Sequence, residues 1–370
     1  MKGNILENEG GPVWLNMDAV KGVLIFLVVL DHNDFVRALA PAFFSSLNYH
    51  VLGFIFLPFI KGRRGGGLTF GLNMLVRYFV PFATFYTIST VAFFILYRSG
   101  EGLLLDYFTG MFVASAATLK TSSGFMMFWF LPVLFSTVIV LSYYDQLKGV
   151  KKTLVLYLFI VAHLFIGTVP AWIKDYTPMG LHIVSYVFVL GVLVRWINKG
   201  IFRRNIVVVR CASIMIFGIC CAVSMYYNTH TEIGDLSVDS IITIGPLILH
   251  DVLGISGFFI IYLFSGFAAK IPLIALIGQY SMIVYLVHPL VFKVFLLIST
   301  GLDSNYAAWP FAYLLGATLS VFITIIVSLG IAHVINRLDW LHDFVTPKGY
   351  REWLVVRGVM LLRKRERPCN

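Results

Sequence analysis

The sequence has few charged residues for its length. Only 12% of its 370 residues are charged and 59% are hydrophobic, whereas about 25% of the residues of a soluble domain are charged. This composition excludes an ordinary soluble protein and predicts a chain that lies mostly within a membrane. The net charge of +10 does not indicate nucleic acid as a partner, because the basic residues are dispersed between apolar runs.

Signals for a metal site, a disulfide framework and a signal peptide are also lacking. Cys211, Cys220 and Cys221 lie in one apolar run, and Cys369 lies in the tail. Their spacing fits neither a metal site nor a set of disulfides. The N-terminal stretch MKGNILENEGGP has acids where a signal peptide needs a basic region, so we do not interpret it as one.

Separate apolar runs of about 20 residues, each long enough to cross a hydrocarbon core of about 30 Å, predict an all-α, polytopic transmembrane helical bundle. We expect about ten spans, at 13–31, 42–60, 68–97, 122–143, 153–172, 179–197, 206–227, 240–265, 272–297 and 309–335. The short apolar stretch 103–119 is predicted to be re-entrant or interfacial. Residues 1–335 would form the membrane domain and 336–370 a basic cytoplasmic tail.

The placement of lysine and arginine predicts the orientation of these spans. Basic clusters occur at 61–64 (KGRR), 148–152 (KGVKK) and 363–367 (RKRER), which fall on the same side of a ten-span bundle. The connection at 228–239, on the other side, is acidic. Both termini are therefore predicted to be cytoplasmic.

The stretch DAVKGVLIFLVVLDHND, residues 18–34, places a lysine and a histidine on an apolar helix. Eleven residues bring Lys21 and His32 to within about 20° of one direction, about 16 Å apart along the axis. Asp18 can pair with Lys21 across three residues. Charged groups inside a bilayer usually face a cavity or a partner. A snorkelling lysine and a histidine in water at the outer rim explain the pattern equally well.

The basic residue, ten intervening residues and histidine of DAVKGVLIFLVVLDH resemble the first-helix signature of the membrane acyltransferases of the acyltransferase-3 type. The resemblance is closest to the fucose 4-O-acetyltransferase-like branch, where the basic residue can be lysine. Five further segments resemble family motifs in the family's order: YHVLGFIFLPF at 49–59, NMLVRYFVPF at 73–82, FWFLPVLF at 128–135, FVLGVLV at 188–194 and IGQYSMIVYLVHPL at 277–290. Pro58 and Phe59 replace the family's usual serine–glycine pair, and Met74 stands where many members carry another arginine.

The resemblance implies transfer of an acyl group, commonly acetyl from acetyl-CoA, to a sugar hydroxyl of a cell-surface polysaccharide or its lipid-linked precursor. It also implies a bacterial origin and thus the plasma (inner) membrane. His32 takes the role of general base, for which histidine is suited because it titrates near pH 6.5. Lys21 and Arg77 are predicted to bind the phosphates or the pantetheine carbonyls of acyl-CoA. This donor is a substrate, and no tightly bound cofactor and no metal are expected.

Further polar residues are candidates for the same site. Asp31 and Asp34 could orient or acidify the surroundings of His32, and we group Asp31 with it as catalytic. Asp34, Trp129, His250, Asp251 and His288 are candidate acceptor-binding residues. For each, an alternative stays open: a structural hydrogen bond for the His250–Asp251 pair, and packing for His288 and Trp129. His163 and His182 are interpreted as core or interfacial histidines. The expected partners are the acyl-CoA, the glycan acceptor and membrane lipids.

Two other functions remain open. A transporter or flippase of glycan intermediates would also be a polytopic bundle with buried charge. Such proteins usually contain inverted or parallel repeats, and this sequence has no visible repeat. A degenerate, non-enzymatic subunit of polysaccharide assembly is the second alternative, which the departures at Pro58, Phe59 and Met74 keep open.

The predicted topology can be tested by cysteine labelling from outside intact cells. Single cysteines are introduced as Gly149→Cys or Gly234→Cys into a protein that lacks the native cysteines. A membrane-impermeant thiol reagent should label position 234, in the acidic connection, and not position 149, in a basic one. Labelling of position 149 alone would invert the topology and move His32 to the donor's side.

Overall fold

The structure is a computed structural model, and it describes residues 15–39, 49–62, 67–97, 103–123, 125–170, 173, 176–201, 205–226, 244–298 and 310–347. The described part of the chain is helical and contains no strand. Its α-helices are α1 Met17–Asp31, α2 Asp34–Leu39, α3 Tyr49–Lys61, α4 Gly67–Tyr97, α5 Leu103–Val113, α6 Ala116–Ser123, α7 Phe130–Gln146, α8 Gly149–Phe165, α9 Leu181–Ile201, α10 Ile206–Tyr226, α11 Ile244–Leu263, α12 Ser265–Ala268, α13 Pro272–Gln279, α14 Ser281–Ile298, α15 Pro310–Arg337 and α16 Asp339–Val345. Three 3-10 helices connect some of them: Met126–Trp129, Ile166–Thr168 and Pro178–Gly180.

Long apolar helices confirm the prediction of an all-α, polytopic membrane protein. Six helical segments within the described ranges are long and apolar enough to cross a membrane: Gly67–Ile95, Met127–Gln146, Pro178–Ile201, Ile206–Tyr226, Gly245–Leu263 and Tyr313–Arg337. A bent pair, Pro272–Gln279 with Ser281–Phe295, is a possible seventh. Helices α1, α3 and α8 have 15, 13 and 17 residues, which is shorter than the spans predicted there. The count of ten spans and the cytoplasmic termini stay predictions, since residues 1–14 and 348–370 and the 228–239 connection lie outside the described residues.

The predicted ninth span is interrupted. The sequence suggests one helix over 272–297, but α13 ends at Gln279 and α14 begins at Ser281, with a bend of 91° between them. Tyr280 ends the first helix, its N–H donating to the carbonyl of Leu276, and its own carbonyl accepts from Val284 N–H in the second. No proline marks the break, so helical periodicity alone gave no sign of it.

The short apolar stretch predicted at 103–119 forms two helices rather than one. Helices α5 and α6 meet at Ala114, whose φ is +52°. An alanine in the left-handed region cannot continue a right-handed helix, so the chain turns there. The placement of this pair relative to the membrane stays a prediction.

Helix α1 lies directly on the backbone of α13. A Cβ added to Gly278 would stand 1.7 Å from the carbonyl oxygen of Asp18, and one added to Gly22 would stand 1.9 Å from that of Ile274. Side chains at either position would force the two helices apart, so this contact requires glycine on both. It fixes the position of the first turns of α1, which carry Lys21.

The residues that depart from the family pattern are packed in the core. The side chain of Phe59 is fully buried and occupies the space that a side chain at Gly191 would take, 2.4 Å from its Cβ position. The same ring packs edge to face on Phe188, with centroids 5.6 Å apart. Met74 is buried as well. The FVLGVLV segment of α9 therefore accommodates the phenylalanine that replaces a small residue.

We predict that Gly278→Ala lowers the stability of the protein. The new methyl group would collide with the α1 backbone, and overpacking of this kind costs about 1–3 kcal/mol. Thermal unfolding of the purified protein in detergent should show a lower midpoint. Gly218→Ala on α10 is the matched control, because nothing lies within 4 Å of that position; it should change stability by no more than about 1 kcal/mol. Equal midpoints for both variants would contradict the close contact.

Candidate active site

A cavity of about 290 Å³ lies between the first turns of α1, α7 and α14, the end of α3, and the part of α4 that carries Arg77 and Tyr78. Three cations line it: Lys21, Lys61 and Arg77. We call it the basic cavity. Lys21 and Arg77, predicted from the sequence to act together, thus line the same cavity. Lys61 was not among the predicted site residues; the basic KGRR cluster was read only as a sign of topology.

The bend at Tyr280 adds a helix N-terminus to the basic cavity. Ser281 and Met282, the first two residues of α14, line it. The first N–H groups of a helix have no partner within the helix, and they carry the positive end of its dipole. The broken span therefore adds N–H donors to the three cations, an arrangement that suits a phosphate.

Lys21 makes the ion pair that its spacing predicts. Its Nζ lies 2.6 Å from Asp18 Oδ1, and the lysine side chain is 28% exposed. The pair is thus partly accessible at the cavity wall. Because Asp18 also touches Gly278 through its backbone, the ion pair is anchored to α13.

Two histidines meet at the other end of α1. Nδ1 of His32 lies 3.3 Å from Nε2 of His288, and the two rings stack with centroids 5.4 Å apart. Nδ1 of His288 lies 3.2 Å from the carbonyl oxygen of Val284. His288 is fully buried and His32 is half-buried.

The hydrogen-bond partners assign the tautomers of this pair. A carbonyl oxygen only accepts, so Nδ1 of His288 carries the proton and its Nε2 in the neutral ring is an acceptor. Nδ1 of His32 must then donate to that Nε2. The lone pair of His32 is left on Nε2, where it can accept a proton from another molecule. Sequence reasoning identified both histidines but not their contact.

An aromatic pair connects the basic cavity to the histidines. Phe130 and Tyr285 both line the cavity, with ring centroids 5.3 Å apart. Tyr285 is 6.0 Å from the ring of His288, and its hydroxyl donates to the carbonyl of Met127. His32 does not line this cavity. Tyr285 therefore has the basic cavity on one side and His288 on the other.

The carboxylate of Asp31 is directed to groups other than His32. Its Oδ2 lies 3.5 Å from Nε2 of His50, and its Oδ1 lies 3.9 Å from a guanidinium nitrogen of Arg37. His50 is buried at the start of α3. The only sign in the sequence that His50 could belong to the site is its position in the YHVLGFIFLPF segment. His50 is not among the site residues predicted from the sequence.

Asn33 holds this end of α1 in place. Its amide nitrogen donates to Ser320 Oγ on α15 at 2.7 Å, and its amide oxygen accepts from Val36 N–H at the start of α2. The residue is fully buried, and its bond to Ser320 forms away from solvent. The chain therefore turns sharply just after His32, which keeps the imidazole at the end of the helix.

A separate polar network contains His250 and Asp251. Asp251 Oδ2 lies 2.9 Å from His163 Nε2, and its Oδ1 accepts from the Tyr186 hydroxyl at 2.7 Å. The same hydroxyl contacts Nδ1 of His250. These residues join α8, α9 and α11, and none of them lines the basic cavity. A role for His250 and Asp251 in acceptor binding stays a prediction.

The other predicted residues have different positions. Trp129 ends a 3-10 turn, is 8% exposed and packs edge to face on Phe130, so little of its ring is free for a sugar. The side chain of Asp34 lies outside the described residues. Within the described ranges, no three His, Cys, Asp or Glu side chains are grouped so that they could hold a metal ion.

The helical bundle and its intramembrane polar site are those of a multi-pass membrane protein. The chain belongs to the acyltransferase-3 family, since the model of that family's acyltransferase domain matches residues 14–333. The protein is therefore a membrane acyltransferase, which confirms the resemblance seen in the sequence. The fucose 4-O-acetyltransferase-like branch stays a prediction. No curated protein and no solved structure matches the chain significantly.

Proposed function

We propose that this protein transfers an acyl group, most simply acetyl, from acyl-CoA to a sugar hydroxyl of a cell-surface polysaccharide or its lipid-linked precursor. The observation that carries the proposal is the arrangement of α1. One end of this helix contributes Lys21 to a basic cavity, and the other end holds His32 with a free lone pair on Nε2.

The basic cavity suits the phosphates of coenzyme A. Lys21, Lys61 and Arg77 supply positive charge, and a guanidinium can bind two phosphate oxygens at once. The extended pantetheine arm is suited to the distance of about 16 Å that separates Lys21 from His32 along the helix. Tyr285 would have to make room for it, because it lines the cavity and also lies against His288.

The proposed reaction is direct transfer. Nε2 of His32 takes the proton of the sugar hydroxyl while the oxygen attacks the thioester carbonyl. The C–S bond then breaks, and the imidazolium returns the proton to the thiolate of coenzyme A. His288 accepts from Nδ1–H of His32 throughout, and this bond strengthens when His32 becomes charged. Asp31, which lies near His50 and Arg37, supplies negative charge next to His32.

The two sides of the membrane have separate roles in this proposal. Coenzyme A is cytoplasmic, and the basic connections predict that the Lys21 end faces the cytoplasm. His32 then lies toward the outer face of a bacterial inner membrane, where the acceptor sugar would be. Only the acyl end of the donor needs to reach that side.

Glycan mass analysis of a strain lacking the gene separates this function from its rivals. We expect loss of an acyl mass from the surface glycan with a normal yield of polymer. Loss of surface polymer with accumulation inside the cell would support a flippase instead. A defect in polymer assembly without an acyl change would support a non-enzymatic subunit.

The burial of Phe59 and Met74 in the core argues that these departures do not by themselves fill the site.

We predict that His32→Ala abolishes acyl transfer without preventing membrane insertion. Removal of a general base costs about 10²–10⁴ in rate. Activity in isolated membranes should be compared with His333→Ala, which alters an exposed histidine on α15. An Ala variant that inserts normally and retains near-native acylation would remove His32 as the base.

His288 is predicted to act as a positioning residue for His32. His288→Ala should lower kcat by about 10–100-fold while leaving KM for the donor unchanged, because it removes the acceptor that fixes the tautomer of His32. His288→Gln keeps a side-chain acceptor and should recover part of the rate. If both variants lose activity equally and both are unfolded, the role of His288 is packing and not positioning of His32.

The cations of the basic cavity are predicted to govern use of the donor. Lys21→Ala, Lys61→Ala and Arg77→Ala should each raise KM for acyl-CoA about tenfold, because a charged hydrogen bond contributes about 1.5–3 kcal/mol. Lys21→Arg should be partly tolerated, since it keeps the charge. Lys199→Ala, an exposed lysine at the end of α9, is the control. An unchanged dependence of rate on donor concentration in all three variants would contradict the assignment.

A further inference from the structure

A second cavity, of about 300 Å³, adjoins the basic cavity. Arg77, Gln279 and Met282 line both. Its far side is lined by Asn336 in the last turn of α15, by His342 on α16, and by Thr346 just after α16. We call it the α16 cavity. The two cavities are thus neighbours. They meet at Arg77 on α4 and at the bend between α13 and α14.

The short helix α16 fixes the far wall of the α16 cavity. It packs against α15 and against α4. After it, the N–H and the hydroxyl of Thr346 both donate to the carbonyl of His342, at 2.8 and 3.1 Å. These bonds hold Thr346 against His342. The wall is therefore an ordered part of the described chain.

We propose that the α16 cavity binds the adenosine end of the acyl-CoA donor. The pyrophosphate would lie at the junction beside Arg77, and the pantetheine arm would continue into the basic cavity. This inference rests on the proposed function and deepens it, because it assigns the half of the donor that the basic cavity does not hold. Three of its residues, Asn336, His342 and Thr346, follow residue 333, where the family match ends.

The size of the two cavities supports a shared ligand. Ligand-binding pockets commonly have volumes of about 300–1,000 Å³, and each of these two is at the lower end of that range. A whole coenzyme A, with nucleoside, pyrophosphate and long pantetheine arm, exceeds either cavity alone. A donor lying across Arg77 would use both.

The residues that line the α16 cavity offer groups that suit the adenine ring and phosphates of the donor. Arg77, the one lysine or arginine among the described residues that line it, would hold the donor's phosphates at the junction. Nδ1 of His342 lies 3.2 Å from Asp343 Oδ1, a contact that orients the imidazole. The Asn336 amide offers a donor and an acceptor, which can match the edge of adenine, and the half-buried ring of Tyr280 offers an apolar face.

Binding of two donor fragments tests the inference. The full-length protein in lipid nanodiscs is titrated with coenzyme A and, separately, with 4′-phosphopantetheine, which lacks the adenosine end. Asn336→Ala and His342→Ala should each weaken coenzyme A binding about tenfold, as expected for the loss of a hydrogen bond. Neither should change the affinity for 4′-phosphopantetheine. His333→Ala, on the exposed face of α15, is the control and should change neither affinity.

The possible outcomes separate this inference from the proposed function. Unchanged coenzyme A binding in both variants overturns the adenosine assignment. Weaker coenzyme A binding by Lys21→Ala would still support the basic cavity as part of the donor site. An equal loss for both ligands also overturns it, because the residues would then act on the pantetheine end or on the fold. Wild-type protein that binds neither ligand contradicts the acyl-CoA donor itself. If the Ala variants do not fold, Asn336→Asp and His342→Gln change the hydrogen bonding with little change in volume and decide the same question.

Discussion

The site depends on the contact between α1 and the two helices on either side of the bend at Tyr280. Gly22 and Gly278 bring α1 and α13 into backbone contact, which anchors the Asp18–Lys21 pair. Helix α14 then continues at 91° and brings His288 to His32 at the other end of α1. The segments 17–32 and 272–298 therefore supply both the Lys21 cation and the imidazoles of His32 and His288. A straight ninth helix would have no N-terminus at the basic cavity.

The cost of burying polar groups in a bilayer explains the rest of the polar arrangement. An unpaired charge or hydrogen-bonding group away from water costs several kcal/mol. Asp31 is accordingly near Arg37 and His50, and Asp251 is bonded to His163 and Tyr186. The His32–His288 pair can remain neutral because each ring serves as donor or acceptor to the next. The exposed guanidinium of Arg77 lines two cavities, where it is available to a ligand.

Local packing explains one of the departures from the family pattern. Phe59 replaces a small residue, and the absence of a side chain at Gly191 gives its ring space. The change thus has a partner on another helix, in the FVLGVLV segment of α9. Pro58 has a different position: it lines the basic cavity, and as a helix-interior proline it has no N–H to bond the carbonyl of Phe54.

The sequence by itself determined the helical membrane fold, the family, the Asp18–Lys21 pair and the face shared by Lys21 and His32. These follow from hydropathy and from the 3.6-residue period, which are local properties of the chain. Only the tertiary structure decided that His288 bonds His32, that His50 faces Asp31, that Lys61 joins Lys21 and Arg77, and that α16 closes a second cavity. Those contacts join residues far apart in sequence. The bend at Tyr280 leaves no mark in the periodicity of the span.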